Sequence, residues 1–321
     1  MKKKIAILGS TGSIGKSTAS IVLQNKKDFD VILLSTNKNL KELSKQCKNL
    51  KPKFLIINDY KSYLKFRKIN QKKNFKIFNN YDSIKKIFQK KIDYAMSAIS
   101  GFDGLKPTLD IIPFTKVIAI ANKESIICGW NLIQSKIRKS KTHFIPVDSE
   151  HFSIWSLIKN VNEEIENIYI TASGGPFLNM NKKDLKKIKP KDAIKHPNWS
   201  MGKKISIDSA TLMNKAFEII EAHHLFDLKI NQIKVIVHPE SIIHSMVNFE
   251  DIPTLPRWIK RQVDSGEDQQ ALIIAEYLNR EESSPWFQKI AMANQTSSLD
   301  KSTIRQKSFI QSIKKYILME A

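Results

Sequence analysis

Lys4-Ile5-Ala6-Ile7-Leu8-Gly9-Ser10-Thr11-Gly12-Ser13-Ile14-Gly15-Lys16 is the stretch that decides the fold. The apolar run Ile5 to Leu8 fits a short strand buried on both faces. Glycines at 9, 12 and 15 make a turn whose backbone can approach a pyrophosphate, and residues 16 to 24, with Ile21 and Leu23 apolar, read as the helix that follows. The start of such a helix offers free amides and the positive end of a dipole. Strand, glycine turn and helix in this order describe a dinucleotide-binding unit, which the glycines alone would not.

Working outward, the second strand, Val31-Ile32-Leu33-Leu34, ends in Ser35-Thr36-Asn37-Lys38-Asn39. A unit selective for NAD usually carries an acidic residue there for the ribose. None is present and Lys38 stands nearby, so the extra phosphate of NADP is favoured, with Asn37, Lys38 and Asn39 as candidate contacts. Further apolar runs at 54–57, 94–99 and 116–121 alternate with helical stretches and predict an α/β fold with a doubly wound parallel sheet. Asn122-Lys123-Glu124-Ser125 follows the last of these runs, at the carboxyl end of a strand, where such sheets bind ligands. Lys123 is therefore a site candidate, and Asn122 and Glu124 are candidates for the cofactor.

Two acidic clusters lie further on. Phe144-Ile145-Pro146-Val147 reads as a strand that runs into Asp148-Ser149-Glu150. In extended backbone Asp148 and Glu150 would face the same way and Ser149 the other. Residues 208 to 221 read as one helix capped by Asp208 or Ser209. Met213, Phe217 and Ile220 form its apolar side, and Asn214, Lys215, Glu218 and Glu221 its polar side. Taken singly, each of these polar residues could belong to a solvated helix face. Together they offer carboxylates, a lysine and an amide, the oxygen-rich company that magnesium or manganese prefers. No His/Cys cluster competes for zinc. Between the clusters, Thr171-Ala172-Ser173-Gly174-Gly175-Pro176-Phe177 reads as an anion-binding turn after a strand, and His196-Pro197-Asn198-Trp199-Ser200-Met201-Gly202 as a loop able to close over a ligand.

Composition narrows the class. A chain of 321 residues suffices for two domains. Its two cysteines, Cys47 and Cys128, have neither metal spacing nor a disulfide framework, which fits a reducing compartment. No apolar stretch approaches the ~20 residues of a membrane helix, so no membrane partner is expected. The net charge of +22 invites a nucleic-acid reading. However, six of the 53 basic residues are arginine and the lysines are dispersed, which argues against a built nucleic-acid surface while favouring anionic small molecules.

The quoted motifs resemble those of the 1-deoxy-D-xylulose 5-phosphate reductoisomerase family. The matching stretches are 9–15, 121–125, 146–151, 173–177, 196–208, 209–221 and 238–247, in family order across residues 1 to about 250. The resemblance implies isomerisation and reduction of a phosphorylated sugar, 1-deoxy-D-xylulose 5-phosphate, to 2-C-methyl-D-erythritol 4-phosphate for isoprenoid precursors. NADPH would lie on Thr11, Gly12, Ser13 and Ile14. Asp148, Glu150 and Glu218 would hold manganese or magnesium, with cobalt as a third candidate. By the same resemblance Lys123 and Ser149 contact the substrate, Ser173, Ser209, Asn214 and Lys215 take its phosphate, His196 closes nearby and Trp199 covers it. A cytoplasmic homodimer is also implied.

The resemblance stops near Asp251. Asn37 stands where the family usually has glycine, and the family's hairpin, methionine-bearing loop and C-terminal helical domain have no counterpart. Residues 252 to 321 hold four of the six arginines and nearly balance acids and bases, which suggests material of another origin. Ser284-Pro285-Trp286-Phe287 and Arg305-Gln306-Lys307-Ser308-Phe309 resemble part of the DGQHR-type proteins linked to DNA modification. The expected division is a Rossmann-like NADPH-binding domain over 1–147, an α+β catalytic domain over 148–251, and an atypical helical tail over 252–321. Two alternatives accompany the working enzyme: a relative that binds NADPH and metal with little or no turnover, and a basic protein whose tail associates with nucleic acid.

Overall fold

The computed structural model describes residues 2–71, 74–158, 164–194, 203–239, 241 and 243–249. The tail expected over 252–321, and with it the nucleic-acid alternative, lies outside the described residues. Contacts divide the chain into two compact units: residues 1–152 with 175–228, and residues 153–174 with 229–321. These units do not follow the linear division expected at 147/148: helix Met213–Phe226 belongs with the first unit and contacts helix Lys123–Ser140.

The first unit carries a seven-stranded sheet in the order β4-β3-β2-β1-β5-β6-β7. Its strands are β1 (Lys3–Leu8), β2 (Phe29–Thr36), β3 (Phe54–Ile57), β4 (Lys76–Phe78), β5 (Ile92–Ser97), β6 (Thr115–Ile120) and β7 (His143–Pro146). Every pairing is parallel, as the alternation of strands and helices predicted. Alternation along β1 explains the burial: Ile5 and Ile7 join one apolar cluster with Leu43, Leu55 and Phe66, while Ala6 and Leu8 join another with Ile118, Ile126 and Ile133. Strands buried on both faces read as the continuous apolar runs seen in the sequence. The three-residue edge strand β4, with no fully buried residue, has too little periodicity to be read in advance.

Strand order reverses between β1 and β5, and this opens a crevice at the carboxyl ends of the two strands. Gly9 leaves β1 there with φ 75°, and a Cβ on it would stand 2.6 Å from the Ala98 carbonyl oxygen. A Cβ on Gly15 would stand 2.2 Å from the Gly9 oxygen, so helix Ser13–Gln24 packs on the turn only with glycine at that position. The second unit contains a three-stranded sheet in the order β10-β8-β9, with β8 (Ile165–Ala172), β9 (Ile233–Val237) and β10 (Ser245–Phe249). Phe249, the last residue of β10, is buried. Among the described residues no helix is long and apolar enough to cross a membrane.

Candidate active site

Two regions of the first unit gather the polar residues. The first is the crevice beyond β1 and β5, where a cavity of about 690 Å³ is lined by Gly9, Thr11, Gly12, Thr36, Asn37, Tyr81, Ile99 and Lys106, among others. That size suits a bound cofactor. Gly12 is the N-cap of helix Ser13–Gln24 and supplies no side-chain cap, so the first-turn amides remain available to an anion. Thr11 and Thr36 join through their hydroxyls at 2.6 Å. Of the three residues expected after β2, Asn37 lines the cavity. Lys38 is 72 % exposed and 3.9 Å from Asp59. Asn39 caps helix Leu40–Leu50, accepting the Glu42 N–H at 3.1 Å.

Asn122 proves to be a tether. It is buried, accepts the Ser125 N–H at the start of helix Lys123–Ser140, and donates to the carbonyls of Ile99 and Gly101. It therefore fixes the loop after β5 to the loop after β6. Glu124 accepts a hydrogen bond from Lys204 at 2.9 Å, and Lys204 also bonds Asp208 at 2.7 Å and lies 5.5 Å over the Phe217 ring.

The second region is the carboxylate cluster. The segment after β7 turns directly into helix Ser149–Ile158, and the Asp148 carbonyl accepts the Phe152 N–H at 2.8 Å. The expectation that Asp148 and Glu150 share one side of an extended strand is corrected: a first helical turn brings Asp148 and Glu150 together, and it also brings in His151. Ser149 hydrogen-bonds Glu150 at 2.7 Å. The single helix expected over 208–221 is two. Helix Lys203–Ala210 contains Ser209, helix Met213–Phe226 follows, and Leu212 at φ 58° breaks the chain between them. An unbroken 3.6-residue period hides this break, because a non-glycine left-handed residue leaves no sequence signal.

Helix Met213–Phe226 is turned the opposite way from a surface helix. Lys215, Glu218 and Glu221 are buried, while Met213 and Ile220 are exposed. The polar face, read as a set of site residues, therefore points inward. Lys123 donates to Asp148 and, at 2.8 Å, to Glu218. Lys215 pairs with Glu218 and stands 3.7 Å from Glu150, and Asn214 donates to Glu218. Ligand oxygens of Asp148, Glu150 and Glu218 lie within 4.8 Å of one another. Lys123, Asp148, Lys215 and Glu218 thus pair among themselves, and Glu221 stands 3.6 Å from His151; without such partners the desolvation of these buried charges would be prohibitive.

The electrostatics follow from this crowding. Burial opposes the charge on Lys123, but the carboxylates of Asp148, Glu218 and Glu221 outweigh it and hold the ammonium above its ordinary range. Burial likewise disfavours the Asp148 carboxylate, yet Lys123 and His151 keep its pKa well below the usual value. Glu218 is pushed up by burial and by the charges of Asp148 and Glu150, against the pull of Lys123 and Lys215. His151, fully buried, bonds Asp148 at 3.1 Å and the Glu218 carbonyl at 2.9 Å. Burial alone would lower its pKa; Asp148 and Glu221 raise it to about 9. The sequence reading gave no role to His151 or Lys204, and named Glu221 only as part of the polar helix face. A helical start at Asp148 would have revealed His151, since it places residue 151 three positions on, over the same face.

The remaining candidates are more scattered. Ser209 lies beside the Ser-Gly-Gly turn: a Cβ on Gly175 would stand 2.8 Å from its carbonyl oxygen. Ser173 belongs to the second unit, just after β8. His196 and Trp199 lie outside the described residues.

The sheet order and the glycine turn at the switch point are those of a dinucleotide-binding type of α/β fold, and the buried oxygen cluster has a composition suited to a cation. Comparison with known proteins narrows this. The family model of 1-deoxy-D-xylulose 5-phosphate reductoisomerase matches residues 5–129, and that of its C-terminal domain matches residues 144–226. The 1-deoxy-D-xylulose 5-phosphate reductoisomerase of Pelagibacter ubique is 59 % identical over 252 residues, which is 78 % of this chain and 65 % of the relative. That of Caldanaerobacter subterraneus is 44 % identical over 250 residues, again 78 % of this chain and 65 % of the relative. Among solved structures, the Zymomonas mobilis enzyme in complex with NADPH has a TM-score of 0.71 at 30 % identity, covering 98 % of this chain and 82 % of that one. A reductoisomerase in complex with NADPH, fosmidomycin and magnesium has a TM-score of 0.72 at 35 % identity, covering 77 % and 64 %. The chain belongs to the 1-deoxy-D-xylulose 5-phosphate reductoisomerase family, and it spans about two thirds of the length of these curated relatives, 65 % in each case.

Proposed function

We propose that this chain carries out the NADPH- and divalent-metal-dependent isomerisation and reduction of 1-deoxy-D-xylulose 5-phosphate to 2-C-methyl-D-erythritol 4-phosphate. The observation that carries the reading is the convergence of Asp148, Glu150 and Glu218 oxygens within 4.8 Å beside the Lys123 and Lys215 ammonium groups. Three carboxylates, two at the start of helix Ser149–Ile158 and one within helix Met213–Phe226, suit a hard cation, manganese or magnesium, and two ammonium groups among them already mark the place as one where positive charge is stable. Crevice and glycine turn suit the dinucleotide. When bound, the cation supplies Lewis acidity at the substrate's oxygens and the cofactor supplies the hydride.

The chain's own residues account for the rest. Asp148, Glu150 and Glu218 hold the cation, and His151 fixes Asp148 in place by its 3.1 Å bond. Lys123 donates to a substrate oxygen beside the carboxylates and compensates charge developing there. Ser149 contacts the substrate. Ser209, Asn214 and Lys215 take the phosphate; Ser173, His196 and Trp199 are assigned to the substrate by the family resemblance alone. Thr11 to Ile14 carry the pyrophosphate, and Lys38, with its exposed ammonium, is the cation for the 2′-phosphate of NADPH. The cytoplasmic homodimer expected from the resemblance belongs to the same proposal.

The test is spectrophotometric. With manganese present, NADPH should be oxidised only when 1-deoxy-D-xylulose 5-phosphate is added, and Glu218→Gln should abolish this. NADPH and manganese binding without turnover would instead select the second reading, a binding-only relative.

A further inference from the structure

The glycine turn is braced from inside the fold by Gln46 and Ser35, neither of which lines the crevice cavity. Helix Leu40–Leu50 buries Leu43, Gln46 and Leu50 on one face. Leu43 and Leu50 join the apolar core beneath the sheet. The position between them therefore calls for an apolar residue, and it holds an amide that is 5 % exposed. A buried amide is costly unless its hydrogen bonds are made. Here both ends are used on one residue: Gln46 donates to the Ser10 carbonyl at 2.7 Å and accepts from the Ser10 hydroxyl at 2.7 Å.

Ser10 is the second residue of the turn and is itself fully buried. Its N–H donates to the Ser35 carbonyl at 2.8 Å, so its amide, carbonyl and hydroxyl are all fixed. A second strut meets the neighbouring residue. The Gly9 N–H donates to the Ser35 hydroxyl at 2.8 Å, which in turn pairs with the Tyr81 hydroxyl at 3.0 Å. With Gly9 and Ser10 held from below, Thr11 and Gly12, which follow them and line the cavity, continue from a fixed backbone. Gln46 does not line that cavity.

We infer that Gln46 is a positioning residue for the dinucleotide: by clasping Ser10 from both ends it fixes the backbone of the turn that takes the pyrophosphate. The inference rests on the dinucleotide reading of the crevice. Removing one buried hydrogen-bonding partner typically weakens what it supports about five- to tenfold.

Two variants and two ligands separate this role from plain stability. Gln46→Leu suits the apolar surroundings but cannot hold Ser10. Gln46→Glu keeps shape and the bond from the Ser10 hydroxyl, yet faces the Ser10 carbonyl with an acceptor. Dissociation constants are read by fluorescence for NADPH, and by calorimetry for adenosine 2′-monophosphate, which lacks a pyrophosphate. Both variants should bind NADPH about five- to tenfold more weakly and adenosine 2′-monophosphate as the native chain does. Unchanged NADPH affinity, or equal weakening of both ligands, would overturn the assignment. A native chain that binds neither ligand would overturn the dinucleotide reading itself.

Discussion

The glycine turn and the carboxylate cluster solve opposite problems. In the proposed function the turn meets an anion with neutral backbone; its residues are small and it is held by main-chain bonds and the buried Ser10–Gln46 and Gly9–Ser35 contacts. The cluster, proposed to meet a cation with charged side chains, keeps three carboxylates stable inside the protein by pairing them with Lys123, Lys215 and His151. The turn should therefore be sensitive to volume, and the cluster to charge.

The comparison is broken most severely at Lys123. Lys123→Met preserves volume and removes an ammonium from between Asp148 and Glu218, leaving buried carboxylates uncompensated. Such losses cost about 3–5 kcal/mol. Chemical denaturation of the metal-free protein should show a loss of this order, and manganese should restore part of it. No loss would mean that Lys123 is not the counter-charge.

At the turn the effect should come from one carbon. Gly15→Ala adds a Cβ where the Gly9 oxygen stands 2.2 Å away. NADPH affinity should fall by about tenfold or more, as for a displaced helix terminus that no longer aims its amides. Manganese affinity should be unchanged. A parallel loss of both would show that turn and cluster are not separable.

The cluster should also respond to pH in a definite direction. His151 in the folded chain holds its proton up to about pH 9, whereas an unfolded histidine releases it near 6.5. Between those values the folded state binds more protons, so stability falls as pH rises. Burial pushes Glu221 up to about 7, which adds a fall of the same sign at lower pH. The melting temperature of the metal-free protein should therefore decline from about pH 6.5 to 9, and His151→Asn should flatten that decline. A native profile that is level across this window would contradict the pairing.

The smallest effect is expected on the outward face of helix Met213–Phe226. Ile220→Ser and Met213→Ser alter exposed side chains, and each should change stability by no more than about 0.5 kcal/mol. A conventional amphipathic reading of the same helix predicts losses several times larger, so denaturation of these two variants sharpens the assignment of its inward face.

These contrasts also explain what the sequence could disclose. The turn was legible because its chemistry is local: strand, glycines and helix are contiguous, and β1, β2, β3, β5 and β6 showed themselves as apolar runs. The cluster was legible only as a set of residue types and by resemblance. Its geometry depends on a helix starting at Asp148, on a break at Leu212, and on a helix whose hydrophilic side faces inward. Periodicity shows that the two sides of that helix differ, but not which one the fold buries. Gln46 was hidden for a related reason. A polar residue between Leu43 and Leu50 looks like an ordinary surface position until the turn 36 residues earlier is seen to receive it.

The account stands or falls on cation binding by the carboxylates. Titration with manganese, followed by the electron paramagnetic resonance signal of the free ion, should show one site per native chain. In Glu218→Gln its affinity should drop by more than the ~10- to 100-fold expected for a residue that merely supports a ligand. Equal affinity in the native chain and Glu218→Gln would contradict the assignment of Asp148, Glu150 and Glu218 as the metal site.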